Sequence, residues 1–149
     1  MLDDVKEIVK KVKETDRYLV SCFLLDNKWR VDFYCPKEHV IYTYFDNKGK
    51  LEVQKDEIFQ KEKHEIEKLD LEKVKIHYKE ALDKITKSGD KFIIILQSIK
   101  NKAVWNITLL THEFKVYNLK VDAFNGDTLE EIEESIMNFK KEELKGNKN

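Results

Sequence analysis

The chain has 149 residues, 41% of them hydrophobic, which is enough for the core of one compact domain or of two small units sharing a core. Charged residues make up 38%, with 28 basic and 29 acidic side chains and a net charge of −1. This composition excludes wholesale disorder, and its interspersed signs lack the clustered positive charge of a nucleic-acid binder.

The N-terminus, Met1-Leu2-Asp3-Asp4-Val5-Lys6, lacks the basic-then-apolar layout of a signal peptide. No apolar run approaches the ~20 residues of a membrane span. The expectation is a soluble, cytoplasmic protein without a membrane span. Val5, Ile8, Val9 and Val12 recur at helical spacing and predict an amphipathic helix over 3–15. Tyr18–Leu25 is apolar on both faces and reads as a strand. Lys28–Cys35 alternates, with Trp29, Val31, Phe33 and Cys35 on one face and Arg30, Asp32 and Tyr34 on the other. After the turn Pro36-Lys37-Glu38-His39 comes a strand over Val40–Asp46. It ends at Asp46-Asn47-Lys48-Gly49, where Asn and Gly tolerate positive φ. Leu51 and Val53 can extend a strand. Residues 57–69 are Lys/Glu-rich, with Ile58, Phe59, Ile66 and Leu69, and predict a helix.

Asp70 then reads as an N-cap. Leu71, Val74, Tyr78, Ala81, Leu82 and Ile85 predict a second amphipathic helix, ended by Ser88-Gly89-Asp90. The pattern restarts with strands over Phe92–Ile99, Ala103–Leu110 and Lys115–Ala123. Trp105, Ile107, Leu109, Tyr117, Leu119 and Val121 face inward. Thr128 and Glu131 form a capping-box pattern, and Leu129, Ile132, Ile136 and Phe139 predict a closing helix.

Trp29 and Asp46 stand at the same separation as Trp105 and Asp122, so the chain reads as one supersecondary unit built twice. Short connections within each unit force antiparallel pairing. Tyr18–Leu25 and Phe92–Leu96 are apolar on both faces, which an open edge strand is not. Both first strands are therefore expected to be covered, either by joining the two sheets or by packing them together.

The second unit resembles the PepSY domain family. The matching residues are the Trp-led strand Ala103-Val104-Trp105-Asn106-Ile107 and the turn Val121-Asp122-Ala123-Phe124-Asn125-Gly126. The first unit is a degraded copy, in which Trp29 and Asp46 match but Asn47 replaces the alanine and Gly49 comes one residue early. The resemblance implies an α+β fold of two tandem helix-strand-strand-strand, cystatin-like units, with antiparallel sheets packed against helices. It divides the chain into a first unit (1–53), a helical connector (54–70), a second unit (71–127) and a C-terminal helix and tail (128–149). It also implies an inhibitory or protein-binding module, with none of the motif residues catalytic.

Read from the residues themselves, Trp29 and Trp105 are core anchors. Asp46 and Asp122, with Gly49 and Gly126, are turn residues. Cys22 and Cys35 lie on neighbouring predicted strands, offset too far for a disulfide, whose Cα atoms stand ~4.4–6.8 Å apart. Two buried thiols suit a reducing compartment. No histidine pairs with another ligand at a zinc spacing, and neither a metal nor a cofactor is expected. A Cys35–His39 nucleophilic pair is disfavoured because Cys35 shares the apolar face of Trp29 and Phe33. The binding candidate is a patch on the outer face of the first unit, formed by Tyr34, Tyr42 and Tyr44 beside Asp32 and Arg30. The lead expectation is thus a non-enzymatic binding module for another protein or peptide. The alternatives are a small-molecule binder or enzyme using Asp32 and a nearby tyrosine in a sheet–helix pocket, and a structural protein that forms a homodimer.

Overall fold

The computed structural model describes residues 2–58 and 66–136. Eight strands follow one another: β1 (Tyr18–Leu25), β2 (Lys28–Cys35), β3 (Val40–Asn47), β4 (Lys50–Glu57), β5 (Gly89–Ile99), β6 (Lys102–Thr111), β7 (Lys115–Asp122) and β8 (Thr128–Ser135). The helical elements are short: α1 (Asp3–Lys11), α2 (Tyr78–Leu82) and a single 3-10 turn at Leu71–Lys73. All eight strands form one antiparallel sheet in the order β4-β3-β2-β1-β5-β6-β7-β8.

Local chemistry fixes three of the hairpins. Asp26-Asn27, Lys48-Gly49 and Lys100-Asn101 each place two consecutive residues at positive φ. Turns of that hand match the twist of the flanking strands, so each gives a two-residue connection. The join at the sheet's centre has a different cause. β1 and β5 carry apolar residues on both faces, and they pair with each other, setting Cys22 opposite Leu96 and Phe23 opposite Ile95. The expectation that these two strands are inner ones agrees with this pairing.

One face of the sheet is closed. Val5 and Ile8 of α1, Ala81 of α2, and Leu69 and Val74 of the intervening segment join Cys22, Val31, Phe33, Tyr44, Leu96, Trp105, Ile107, Leu109, Leu119 and Val121 in a single core cluster. Trp105 is fully buried, donates its indole N–H to the Ile76 carbonyl at 2.8 Å and packs against Trp29 and Tyr78, with ring centroids 6.2 and 6.0 Å away. The opposite, open face is exposed at Ile93 and Leu110 but buried at Tyr34, Thr43 and Val104.

This architecture corrects the sequence reading in several places. A single continuous sheet with two short helices replaces the α+β pair of tandem, cystatin-like helix-and-sheet units, and the PepSY-derived fold falls with it. The expected boundary between 53 and 54 lies inside β4. Glu57 of the expected 57–69 helix ends β4, and residues 66–70 form no regular element. Phe59 and its neighbours to 65 lie outside the described residues. The helix expected over 71–85 breaks because the Lys75 and Ile76 N–H groups both turn to the Ala123 carbonyl, at 2.8 and 2.9 Å.

Thr128–Ser135 of the expected closing helix form strand β8 instead, Ile136 is helical, and Phe139 lies outside the described residues. Glu-rich sequence favours a helix in isolation, but β7 offers an unpaired edge and cationic or phenolic partners. Lys120 reaches Glu130 at 3.5 Å, Lys115 reaches Glu133 at 3.3 Å, and the Tyr117 hydroxyl donates to Glu131 at 2.8 Å. Burial, reinforced by that carboxylate, pushes the Tyr117 phenol up to about 12. Such cross-strand pairs outweigh local helix propensity.

Candidate functional site

The expected tyrosine patch is divided between the two faces of the sheet. Directly paired residues on neighbouring strands share a face. Phe33 pairs with Tyr42 and Val31 with Tyr44, whereas Tyr34 pairs with Ile41, Asp32 with Thr43 and Arg30 with Phe45. Tyr42 and Tyr44 therefore lie on the closed face, where the Tyr44 ring meets Phe33 edge-on at 5.4 Å. Tyr34, Asp32 and Arg30 lie on the open one. The cause is turn length. Four residues separate the paired Cys35 and Val40, whereas five separate Leu110 from Val116 in the corresponding hairpin. That difference of one exchanges the faces of every β3 side chain relative to the near-repeat.

On the closed face, Tyr42 and Tyr44 belong to a charged cluster at the β2–β3 end. The Arg17 guanidinium lies 3.7 Å from the Tyr42 ring centroid, donates to the Tyr44 hydroxyl at 2.9 Å and pairs with Asp16 at 2.8 Å. Tyr42 donates to Glu38 at 2.7 Å, and Lys55 pairs with the same carboxylate at 2.8 Å. The Arg17 hydrogen bond holds the Asp16 carboxyl below its usual range, and Lys55 followed by Tyr42 does the same for Glu38. The fully buried Cys35 thiol lies 3.7 Å from Asp16 and 3.6 Å from Glu38. Ligand atoms of Asp16, Cys35 and Glu38 thus fall within 4.8 Å of one another. Each carboxylate is paired with its own cation, Asp16 with Arg17 and Glu38 with Lys55. His39 takes no part: its Nδ1 is 2.7 Å from the Tyr34 hydroxyl, and among the described residues no imidazole is hydrogen-bonded to Cys35.

On the open face, Asp32 accepts hydrogen bonds from Ser21 at 2.8 Å and Thr43 at 2.6 Å. Burial raises its pKa, and the Thr43 and Ser21 hydroxyls only partly oppose that shift. Its surroundings are hydroxyls rather than tyrosine, and it lines none of the four cavities described at the surface. Arg30 stacks over Phe45 at 4.1 Å. A raised folded-state pKa favours the protonated carboxyl, so its stabilising contribution is complete below the unfolded value and is lost as pH rises through the folded one. Asp32→Asn is therefore expected to melt higher than the wild type at pH 7, with the difference closing below roughly pH 4. Thermal unfolding across that range checks it, and a difference that widens on acidification contradicts it.

The other residues picked out by sequence have structural surroundings. Trp29 is half-buried and packs on Trp105 and on Tyr78, so the two tryptophans meet across the sheet's centre. Asp122 accepts the Phe124 N–H at 2.9 Å, and Gly126, at φ +85°, donates to the Asp122 carbonyl at 2.8 Å. The Gly49 N–H reaches the Asp46 carboxylate at 3.4 Å.

The open face also holds a groove that the sequence reading did not single out. Leu25, Ile93 and Leu110 are 46%, 56% and 40% exposed. With Thr108 and Val116 they line a cavity of about 600 Å³. Asp26, Asp90 and Lys91 stand at its rim. Pairing places Leu110 beside Val116 and sets Ile93, Thr108, Asn118 and Ile132 in one row across four strands. The signal was present in Phe92–Leu96, which is apolar on both faces: one face fills the core, and Ile93 faces outward.

No family model and no curated protein sequence matches the chain. Among solved structures, the fold is similar to the crystal structure of a putative lipoprotein from Clostridium difficile 630. The TM-score is 0.61, the match covers 88% of this chain and 91% of that one, and sequence identity is 20%, so the similarity concerns the fold alone.

Proposed function

We propose that the protein is a non-enzymatic binding module whose contact surface is the groove on the open face, and that its partner is a protein segment with an apolar side chain beside a basic one. The observation that carries this reading is the exposed apolar group of Leu25, Ile93 and Leu110 beneath a rim bearing Asp26 and Asp90. An apolar centre ringed by polar groups is how protein interfaces are built, and at this rim the two carboxylates, Asp26 and Asp90, outnumber the single ammonium of Lys91, which favours a cation. The ionisable cluster around Cys35 supports the same reading from the other side, because among the described residues its carboxylates are paired with Arg17 and Lys55. Two free, buried thiols support a reducing compartment.

A phage-displayed peptide library selected on the whole protein tests this. Enriched sequences should carry aliphatic or aromatic residues next to Lys or Arg. Their affinity, read by fluorescence anisotropy, should fall at least tenfold in Ile93→Glu/Leu110→Glu, a pair of exposed positions whose replacement leaves the core intact. Failure to enrich such peptides, or equal affinity for the variant, refutes the reading.

A further inference from the structure

The two edges of the sheet differ in kind. β8 carries Glu130, Glu131, Glu133 and Glu134 without a single Lys or Arg, so pairing two β8 strands would set glutamates against glutamates. β4 carries both signs, in the order Lys50, Leu51, Glu52, Val53, Gln54, Lys55, Asp56, Glu57. All eight of its residues pair with β3 in unbroken register, so its outer edge is a regular row of backbone donors and acceptors. Val53 is 54% exposed on it. A long, regular edge of this kind is a template for another strand.

We propose that the β4 edge pairs with the β4 edge of a second copy of this chain, antiparallel about a two-fold axis through Val53. An axis normal to the sheet keeps each face continuous, so only residues on the same face can stand opposite one another. With Val53 opposite Val53 of the partner subunit, Lys50 meets Asp56 of the partner subunit, Leu51 meets the stem of the partner subunit's Lys55, and Glu52 meets the partner subunit's Gln54. Sliding the pair by one allowed step in either direction is unfavourable. One step sets Gln54 on the axis and Glu52 against the partner's Asp56; the other sets Glu52 against the partner's Glu52. Charge complementarity thus favours the register centred on Val53 over both of its neighbours. The two exposed valines cover each other, and the result is one closed pair with sixteen strands in a continuous sheet. The binding groove lies on β1, β5, β6 and the start of β7, away from this edge, so the pairing stands or falls independently of the proposed function.

The test uses the whole chain with Val53→Cys. Residues directly opposite have Cβ atoms ~4.5–5.5 Å apart, within reach of a disulfide after a small adjustment. Cys22 and Cys35 are both fully buried and so do not compete. The expected results are a dimer of the wild type by sedimentation, a covalent dimer of Val53→Cys under mild oxidation, no covalent dimer of Leu51→Cys, and a shift of Val53→Lys to monomer with an unchanged circular dichroism spectrum. A wild type that sediments as a monomer at every soluble concentration overturns the proposal. So does equal cross-linking of Val53→Cys and Leu51→Cys, or a Val53→Lys variant that stays dimeric.

Discussion

Trp105→Ala should lower the free energy of unfolding by about 3–5 kcal/mol, the usual cost of emptying a buried Trp site. Trp105 leads the fully buried side chains in volume. Its removal takes away the ring contacts to Trp29 and Tyr78 and leaves the Ile76 carbonyl without its indole donor. A buried acceptor left unpaired adds about 1–3 kcal/mol if no water replaces the donor. Whole-domain stabilities are about 5–15 kcal/mol, so the variant should be marginal or unfolded at room temperature. Trp105→Phe keeps most of the volume and loses only the indole hydrogen bond, so it should fall between the two. Urea unfolding followed by circular dichroism gives the values. A cost under about 1 kcal/mol for Trp105→Ala would mean that the Trp site is not packed as described.

The second large effect lies at the sheet's centre. Leu96 is fully buried and stands between Cys22 on β1 and Trp105 on β6. Leu96→Ala should cost about 2–5 kcal/mol. If the eight strands are one cooperative unit, the loss is shared by both halves of the chain. Amide exchange should then accelerate by the same factor at Val31 of β2 and Leu119 of β7, although Leu96 belongs to β5. Two independent halves would instead leave Val31 protected while Leu119 exchanged faster.

Much of the sheet is legible from sequence because its inner strands alternate cleanly and its turns are chemically explicit. Asp26, Asn27 and Gly49 are residues that accept positive φ, and they close hairpins between the strands that the sequence predicts. The alternation of Trp105, Ile107 and Leu109 gives the inner face of β6 directly. The edge strands are not legible in the same way. Leu129 and Ile132 satisfy helical spacing, Glu favours helices, and an edge strand bears little burial to enforce a period of two. What makes β8 a strand is Lys115, Tyr117 and Lys120 on β7, which lie too far along the chain for a local pattern to reveal.

The tyrosine patch divides for a more specific reason. The faces of β2 follow from alternation, but the phase of β3 relative to β2 depends on the length of the turn between them. The turn Pro36–His39 is one residue shorter than its counterpart, so Tyr42 and Tyr44 point into the closed side, where Arg17 rather than Arg30 meets them. The groove at Leu25, Ile93 and Leu110 could not be assembled from sequence because it depends on β1 lying beside β5. That contact joins residues some seventy positions apart.

The single sheet depends on that contact. Nuclear Overhauser effects between backbone protons of β1 and β5 test it most directly. Cross-strand signals should link Cys22 to Leu96 and Phe23 to Ile95, in the same antiparallel register as those within the hairpins. Signals confined to the hairpins of each half, with none between β1 and β5, would contradict the single sheet and with it the open face and its groove.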